Sequence, residues 1–158
     1  PVGSIVLIEG DYGAGKSVLS QRFTYGFTQE DVVTTLVSTE LGVRGFLDQM
    51  HSLTYDVVKP LLDEEILFIP AEIDASGTLT GSDEDDERKQ LLKRMMEAET
   101  MWDADVIIVD TFDAILRNDP KFEALVRQNE ERQAALEIIS FFREITTKGK
   151  TIVLTNDP

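Results

Sequence analysis

Gly10-Asp11-Tyr12-Gly13-Ala14-Gly15-Lys16-Ser17 fits the pattern G-x-x-x-x-G-K-S/T. Residues of these types at this spacing bind a phosphate chain. The glycines let successive backbone N–H groups turn inward around an anion with no Cβ in the way. A helix starting near Lys16 would aim its free N–H groups, and the positive end of its dipole, at the same anion. Lys16 supplies charge for the β- and γ-phosphates of a nucleotide, and the Ser17 hydroxyl has the reach to ligate Mg²⁺. By chance the pattern would turn up in roughly one of a few hundred chains of this length. Here it also lies between an apolar run and a helical pattern, the context it requires. The expected ligands are ATP and Mg²⁺, with Gly10, Asp11, Tyr12, Gly13, Ala14, Gly15, Lys16 and Ser17 as the nucleotide cradle.

Three further positions extend this chemistry. Asp110 closes the apolar run Val106-Ile107-Ile108-Val109. An acid at the end of a parallel strand faces the ligand crevice and can hold magnesium through its water. Taken alone, an acid after an apolar run also reads as a helix cap. Glu40 follows Leu36-Val37-Ser38-Thr39. On the same edge it can orient or deprotonate the water that attacks a γ-phosphate, or else it caps the helix running toward Phe46. Thr155 and Asn156 end the last apolar run. They would reach the γ-phosphate, and report ATP against ADP, if their strand lies between those ending at Gly10 and Asp110. Otherwise they open a plain loop.

The elements that must position these groups follow from periodicity. Ser4 to Glu9, Val32 to Ser38, Ile66 to Ile69, Val106 to Asp110 and Thr151 to Thr155 read as strands. Lys16 to Phe27 reads as a helix, with Val18, Leu19, Phe23 and Phe27 at helical spacing. Val43 to Leu53, Glu87 to Met101 and Phe122 to Thr147 are also helical, the last ended by Gly149. Asp56 to Leu62 is a short helix that Pro60 weakens. Ala75 to Asp86 is polar and reads as a loop. Strands alternating with helices predict an α/β fold with a mostly parallel sheet. The continuously apolar strands predict helices on both faces.

The chain has 158 residues, 42% hydrophobic and 28% charged, enough for one domain with a real core. Lys and Arg number 15 against 30 Asp and Glu, a net charge of −15. That balance opposes a nucleic-acid or anionic-lipid grip, which needs a basic face. The run Asp83-Glu84-Asp85-Asp86-Glu87 holds five of the acids and reads as a solvated surface. The absence of Cys excludes disulfides and thiolate metal sites. No apolar stretch reaches the ~18 residues of a membrane span. His51, the single His, reads as a surface or helix-end residue, Trp102 as packing, and Met95 and Met96 as a buried helix face. The first residue is not Met and the last four directly follow an apolar run, so residues 1–158 are expected to be one domain of a longer protein, without its N- and C-terminal segments.

The order GSIVLIEGDYGAGKS, VSTEL, VIIVDTF and KGKTIVLTNDP resembles the RecA-like P-loop ATPases of the circadian-clock KaiC group. Within it, GDYGAGKSVLSQRFTYGF and STELGVRGFLDQMHSLTYD are most similar to the FlaH-type accessory ATP-binding proteins of the archaeal flagellum, or archaellum. The resemblance covers nearly the whole chain. The P-loop and Asp110 are shared by P-loop NTPases at large, whereas Thr39-Glu40-Leu41 and the following Gly-Phe-Leu-Asp-Gln-Met narrow the group. The resemblance implies a RecA-like core with its last strand between the P-loop strand and the Asp110 strand. It implies a cytoplasmic protein, peripheral to the membrane-bound motor, that docks beside the motor ATPase and the membrane platform or ring components. It further implies an ATP-bound switch with weak or partner-dependent hydrolysis that assembles into homo-oligomeric rings. Lys16 and Ser17 fall on the phosphate and magnesium positions, Asp110 on the second magnesium position, and Glu40 on the catalytic glutamate. Clock-type relatives carry paired glutamates where this chain has Thr39-Glu40, which argues against clock-like autophosphorylation.

The expected function is therefore a regulatory ATP-binding subunit of the archaellum motor. A self-sufficient KaiC- or RecA-like ATPase in signalling or DNA recombination is the alternative, with a small-molecule kinase beside it. A kinase would need clustered arginines on a lid. Arg88, Arg94, Arg117, Arg127, Arg132 and Arg143 are instead scattered along helices. Fold alone does not choose among these functions.

Overall fold

A computed structural model describes residues 3–11, 13–71, 103–117, 124, 127, 128 and 131–157. Five strands, β1 (Ile5–Glu9), β2 (Thr34–Ser38), β3 (Ile66–Pro70), β4 (Val106–Asp110) and β5 (Thr151–Asn156), form one sheet in the order β1-β5-β4-β2-β3. Every neighbouring pair is parallel. The last strand thus lies between the P-loop strand and the Asp110 strand, with Leu7 opposite Leu154 and Asp110 opposite Thr155.

Alternate residues of a strand point to opposite faces, and the core divides accordingly. Val37, Ile107, Val109, Ile152 and Leu154 pack on one face with Phe112, Ile115 and Ile145. Leu36, Val106, Ile108 and Val153 pack on the other with Phe46 and Met50. The first set of partners comes from α4 (Phe112–Arg117) and α5 (Glu131–Thr147), the second from α2 (Val43–Ser52). Helices cover both faces, as the apolar strands require. The fold is the expected α/β core.

α1 (Lys16–Gln29) differs from what its apolar spacing suggests. It buries Ser20, Gln21, Thr24 and Thr28, whereas Leu19 is exposed and Phe23 and Phe27 are only partly buried. The two threonine hydroxyls of this face are satisfied locally, whereas Ser20 Oγ and Gln21 Oε1 are buried without a hydrogen-bond partner. The Thr24 hydroxyl donates to the Ser20 carbonyl at 2.8 Å, and Thr28 donates to Tyr25 at 2.6 Å. Gln21 bonds through its amide to Gln49 of α2. Small side chains on that face let the P-loop helix sit close to the sheet.

α3 (Val58–Leu62) tolerates Pro60 because it stands in the first turn, where its missing N–H has no intrahelical partner to lose. α4 is an addition to the sequence-based reading, being too short for periodicity to reveal. The predicted helix at 87–101, the acidic run, Met95, Met96 and Trp102 lie outside the described residues, as does part of the predicted helix at 122–147.

Candidate nucleotide site

The strand C-termini deliver the candidate residues to one edge. β1 ends at Glu9, and the Gly10 N–H donates to the Asn156 carbonyl at 3.3 Å, tying the loop to the end of β5. The Ala14 N–H donates back to Asp11 at 3.0 Å, closing a turn. Gly13 and Gly15 adopt φ of +82° and +90°, and Gly15 is the N-cap of α1. Only glycine takes such angles without strain, and here they turn the loop into the start of α1, where N–H groups can face an anion. Tyr12 lies outside the described residues.

Lys16 folds back over this loop. Its Nζ donates to the Gly10 carbonyl and, at 2.9 Å, to the Asp11 carbonyl, and it pairs with the Asp157 carboxylate at 3.0 Å. Its side chain is 8% exposed. The ammonium thus sits at the loop mouth, held by acceptors of the kind that a phosphate oxygen replaces.

Ser17 and Glu40 meet across the edge, with the serine hydroxyl donating to Oε2 at 2.9 Å. The turn after β2 produces this contact. Ser38 Oγ accepts the N–H groups of Glu40 at 3.3 Å and Leu41 at 3.0 Å, swinging the chain out of the sheet. The N-cap of α2 is Gly42, with no side-chain cap bond, so Glu40 does not cap that helix.

Asp110 is 3% exposed. Thr155 donates its hydroxyl to Asp110 Oδ1 at 2.6 Å. Behind this pair, Thr39 joins β2 to β4. Its N–H donates to the Asp110 carbonyl at 2.7 Å, and its Oγ1 accepts the Thr111 N–H at 3.0 Å. The Asp113 N–H donates to Asn156 Oδ1 at 3.2 Å, fixing the start of α4 against the end of β5. The sequence reading, which attends to strand-final acids, assigns no site role to Thr39, Thr111, Asp113 or Asp157. The registers Ser38–Asp110 and Asp110–Thr155 are what bring Thr39 and Thr111 together.

A divalent cation fits this donor set. The acceptors are hard oxygens: a serine hydroxyl and carboxylates. Among the described residues the buried Asp110 carboxylate meets a neutral hydroxyl rather than a cation. A buried carboxylate without a positive partner is costly, and a metal ion bearing phosphate ligands would supply one. No cluster of three or more metal-type side chains occurs among the described residues.

The KaiC ATPase family model matches residues 1–157. The chain is 36% identical, over its whole length, to the archaeal flagellar ATP-binding protein FlaH of Methanocaldococcus jannaschii, and 32% identical to that of Methanococcus voltae. It spans 60% and 61% of the lengths of these two relatives. The crystal structure of the flagellar accessory protein FlaH from M. jannaschii superposes with a TM-score of 0.75 at 34% identity, covering all of this chain and 62% of that one.

Proposed function

The chain belongs to the KaiC ATPase family, and from that premise we propose that it is the ATP-binding core of a regulatory subunit of the archaeal flagellar motor. The observation that carries the nucleotide reading is the meeting of five groups at one sheet edge: Lys16 on the loop, Ser17 against Glu40, and Asp110 against Thr155. The motor assignment rests on the likeness to the FlaH proteins.

In this reading the N–H groups of the loop Gly10 to Ser17 that are not spent on Asn156 and Asp11, together with the Lys16 ammonium, bind the β- and γ-phosphates. Ser17 Oγ and, through water, Asp110 would hold Mg²⁺, which draws charge from the phosphate oxygens when bound. Thr155 orients the Asp110 carboxylate and couples the end of β5 to the metal position. Glu40 accepts a hydrogen bond from the Ser17 hydroxyl, leaving the serine lone pairs for the cation, and its other oxygen would align an attacking water. Binding of ATP·Mg²⁺ would draw together the ends of β1, β2, β4 and β5, favouring the conformation that docks with the motor ATPase and membrane-side components. Such a switch works only as far as the nucleotide's affinity differs between the two states. Hydrolysis, weak or dependent on a partner, resets it. Ring assembly of copies belongs to the same proposal.

The test is a pull-down of the full-length protein with motor components, with and without ATP·Mg²⁺, beside direct binding of a fluorescent ATP analogue. Capture should require ATP·Mg²⁺, and Lys16→Ala should weaken both signals by about one to two orders of magnitude. Glu40→Gln should retain nucleotide and capture but lose turnover. Nucleotide-independent capture, or none, counts against the switch. Rapid turnover by the isolated full-length protein would favour a self-sufficient ATPase instead.

A further inference from the structure

A second surface lies at the opposite end of the sheet. α2 starts just after Glu40, on the nucleotide edge. Since β3 runs parallel to β2, the chain must return to the other edge before β3 begins. The turn between α2 and α3 is therefore remote from the P-loop, and it carries an open cleft of about 700 Å³. Leu47, Tyr55, Val57 and Val58 line it with apolar surface, and Asp48 and Asp56 stand beside them.

The cleft is preformed. Tyr55 stacks on Tyr25 of α1 with ring centroids 4.4 Å apart, which fixes one wall. The Tyr55 N–H donates to Met50 and the Thr54 N–H to His51, both at 2.9 Å, which fixes the turn. Asp56 Oδ1 accepts the Val58 N–H at 3.2 Å and sets the start of α3. Val58 is 59% exposed, and Leu62, one helical turn later, is 78% exposed. These two prolong the apolar strip along α3 and out of the cleft.

Charge selects the occupant. Residues 47–65 contain Asp48, Asp56, Asp63, Glu64 and Glu65 against one cation, Lys59. That lysine is already bonded to Asp63. We propose that this cleft docks a basic amphipathic segment of a partner protein. Its apolar side would lie along Leu47, Val58 and Leu62, and its Lys or Arg side chains would face Asp48 and Asp56. Nucleic acid and anionic lipid carry the same sign as the rim and are repelled by it. A second copy of this chain would bring further net negative charge to an acidic face. The proposal does not depend on what the nucleotide site does.

The probe is a short fluorescent Leu/Lys amphipathic peptide, with its Leu/Glu counterpart as control, titrated against the full-length protein by anisotropy and by amide chemical shifts. The Leu/Lys peptide should bind at least about tenfold tighter than the control, with shifts confined to residues 47–62. Val58→Glu and Asp48→Lys alter exposed side chains, so the fold should survive. Each should weaken the peptide by about tenfold, as expected on losing an anchor or a close charge pair, and leave ATP-analogue binding unchanged. Equal binding by both variants, or shifts spread over the whole acidic surface, would overturn the proposal. So would tighter binding of single-stranded DNA or anionic vesicles at this face, or self-association that Val58→Glu abolishes.

Discussion

Lys16 has three acceptors on the protein, and only one of them is charged. The carbonyls of Gly10 and Asp11 are built into the loop and stay with it. Asp157 is a separate side chain, 41% exposed, at the far end of β5. A phosphate oxygen and the Asp157 carboxylate want the same ammonium protons, so the two compete. Solvent screening makes the pair worth less than about 1 kcal/mol. Asp157→Asn should therefore tighten ATP-analogue binding a few-fold at low salt, with the gain shrinking as salt rises; unchanged or weaker binding would show that Asp157 helps hold the nucleotide. Lys16→Ala removes a charged donor aimed at the phosphates. It should weaken binding by one to two orders of magnitude, in line with about 1.5–3 kcal/mol for a hydrogen bond to a charged group. Thr155→Val keeps the shape of the strand end but strips the hydroxyl from buried Asp110. The carboxylate is then less satisfied, and urea unfolding without Mg²⁺ should show a loss of about 1–3 kcal/mol. Added Mg²⁺ with nucleotide should recover part of it.

α1, α2, α3 and α5 end in one repeated way, and it shows why some elements could be read from residues and others could not. After α5, the Lys150 N–H donates to Ile145 and the Gly149 N–H to Thr146, with Gly149 at φ +75°. This is the Schellman closure, and its glycine announces it. α1, α2 and α3 close with the same pair of bonds, but Asp31, Thr54 and Glu64 occupy the left-handed position at φ of 56°, 65° and 58°. No residue type marks those ends, so only the hydrophobic pattern could locate them. Strands were legible because they are continuous apolar runs, and Gly10 to Ser17 because its residue types serve one purpose. The burial of α1 was not legible: the Thr24 and Thr28 hydroxyls, bonded to their own helix, behave as small neutral surface, and hydropathy counts them as polar. Likewise, the Thr39–Thr111 link exists only through strand register. Thr54 gives the element-scale test. A β-branched residue in the left-handed region is strained. Thr54→Gly should raise stability in urea by about 1 kcal/mol, after the extra entropy that glycine loses on folding. Destabilisation would mean that the Thr54 side chain contributes more than its backbone strain costs.

At the scale of the molecule, a net charge of −15 confronts a ligand that is itself a polyanion. Two fields of opposite sign act on an approaching nucleotide. Far from the site, the summed acids repel it. At the loop, the start of α1 and the buried Lys16 attract it. Salt separates the two, because the Debye length falls from about 10 Å at 0.1 M to about 3 Å at 1 M, and buried groups are screened far less than exposed ones. For a basic nucleotide site, salt slows association by weakening long-range attraction. Here the long-range part is repulsive, so the association rate of a fluorescent ATP analogue, followed by stopped flow, should rise with KCl while dissociation changes little. Self-repulsion within the fold is relieved by the same screening. The thermal midpoint without nucleotide should therefore climb over the same range, by about 2–4 °C for each kcal/mol recovered in a chain of this size. An association rate that falls with KCl would mean that the attraction of Lys16 and α1 reaches beyond the loop and outweighs the surface acids during the approach. The excess acid would then be arranged away from the path by which the nucleotide enters.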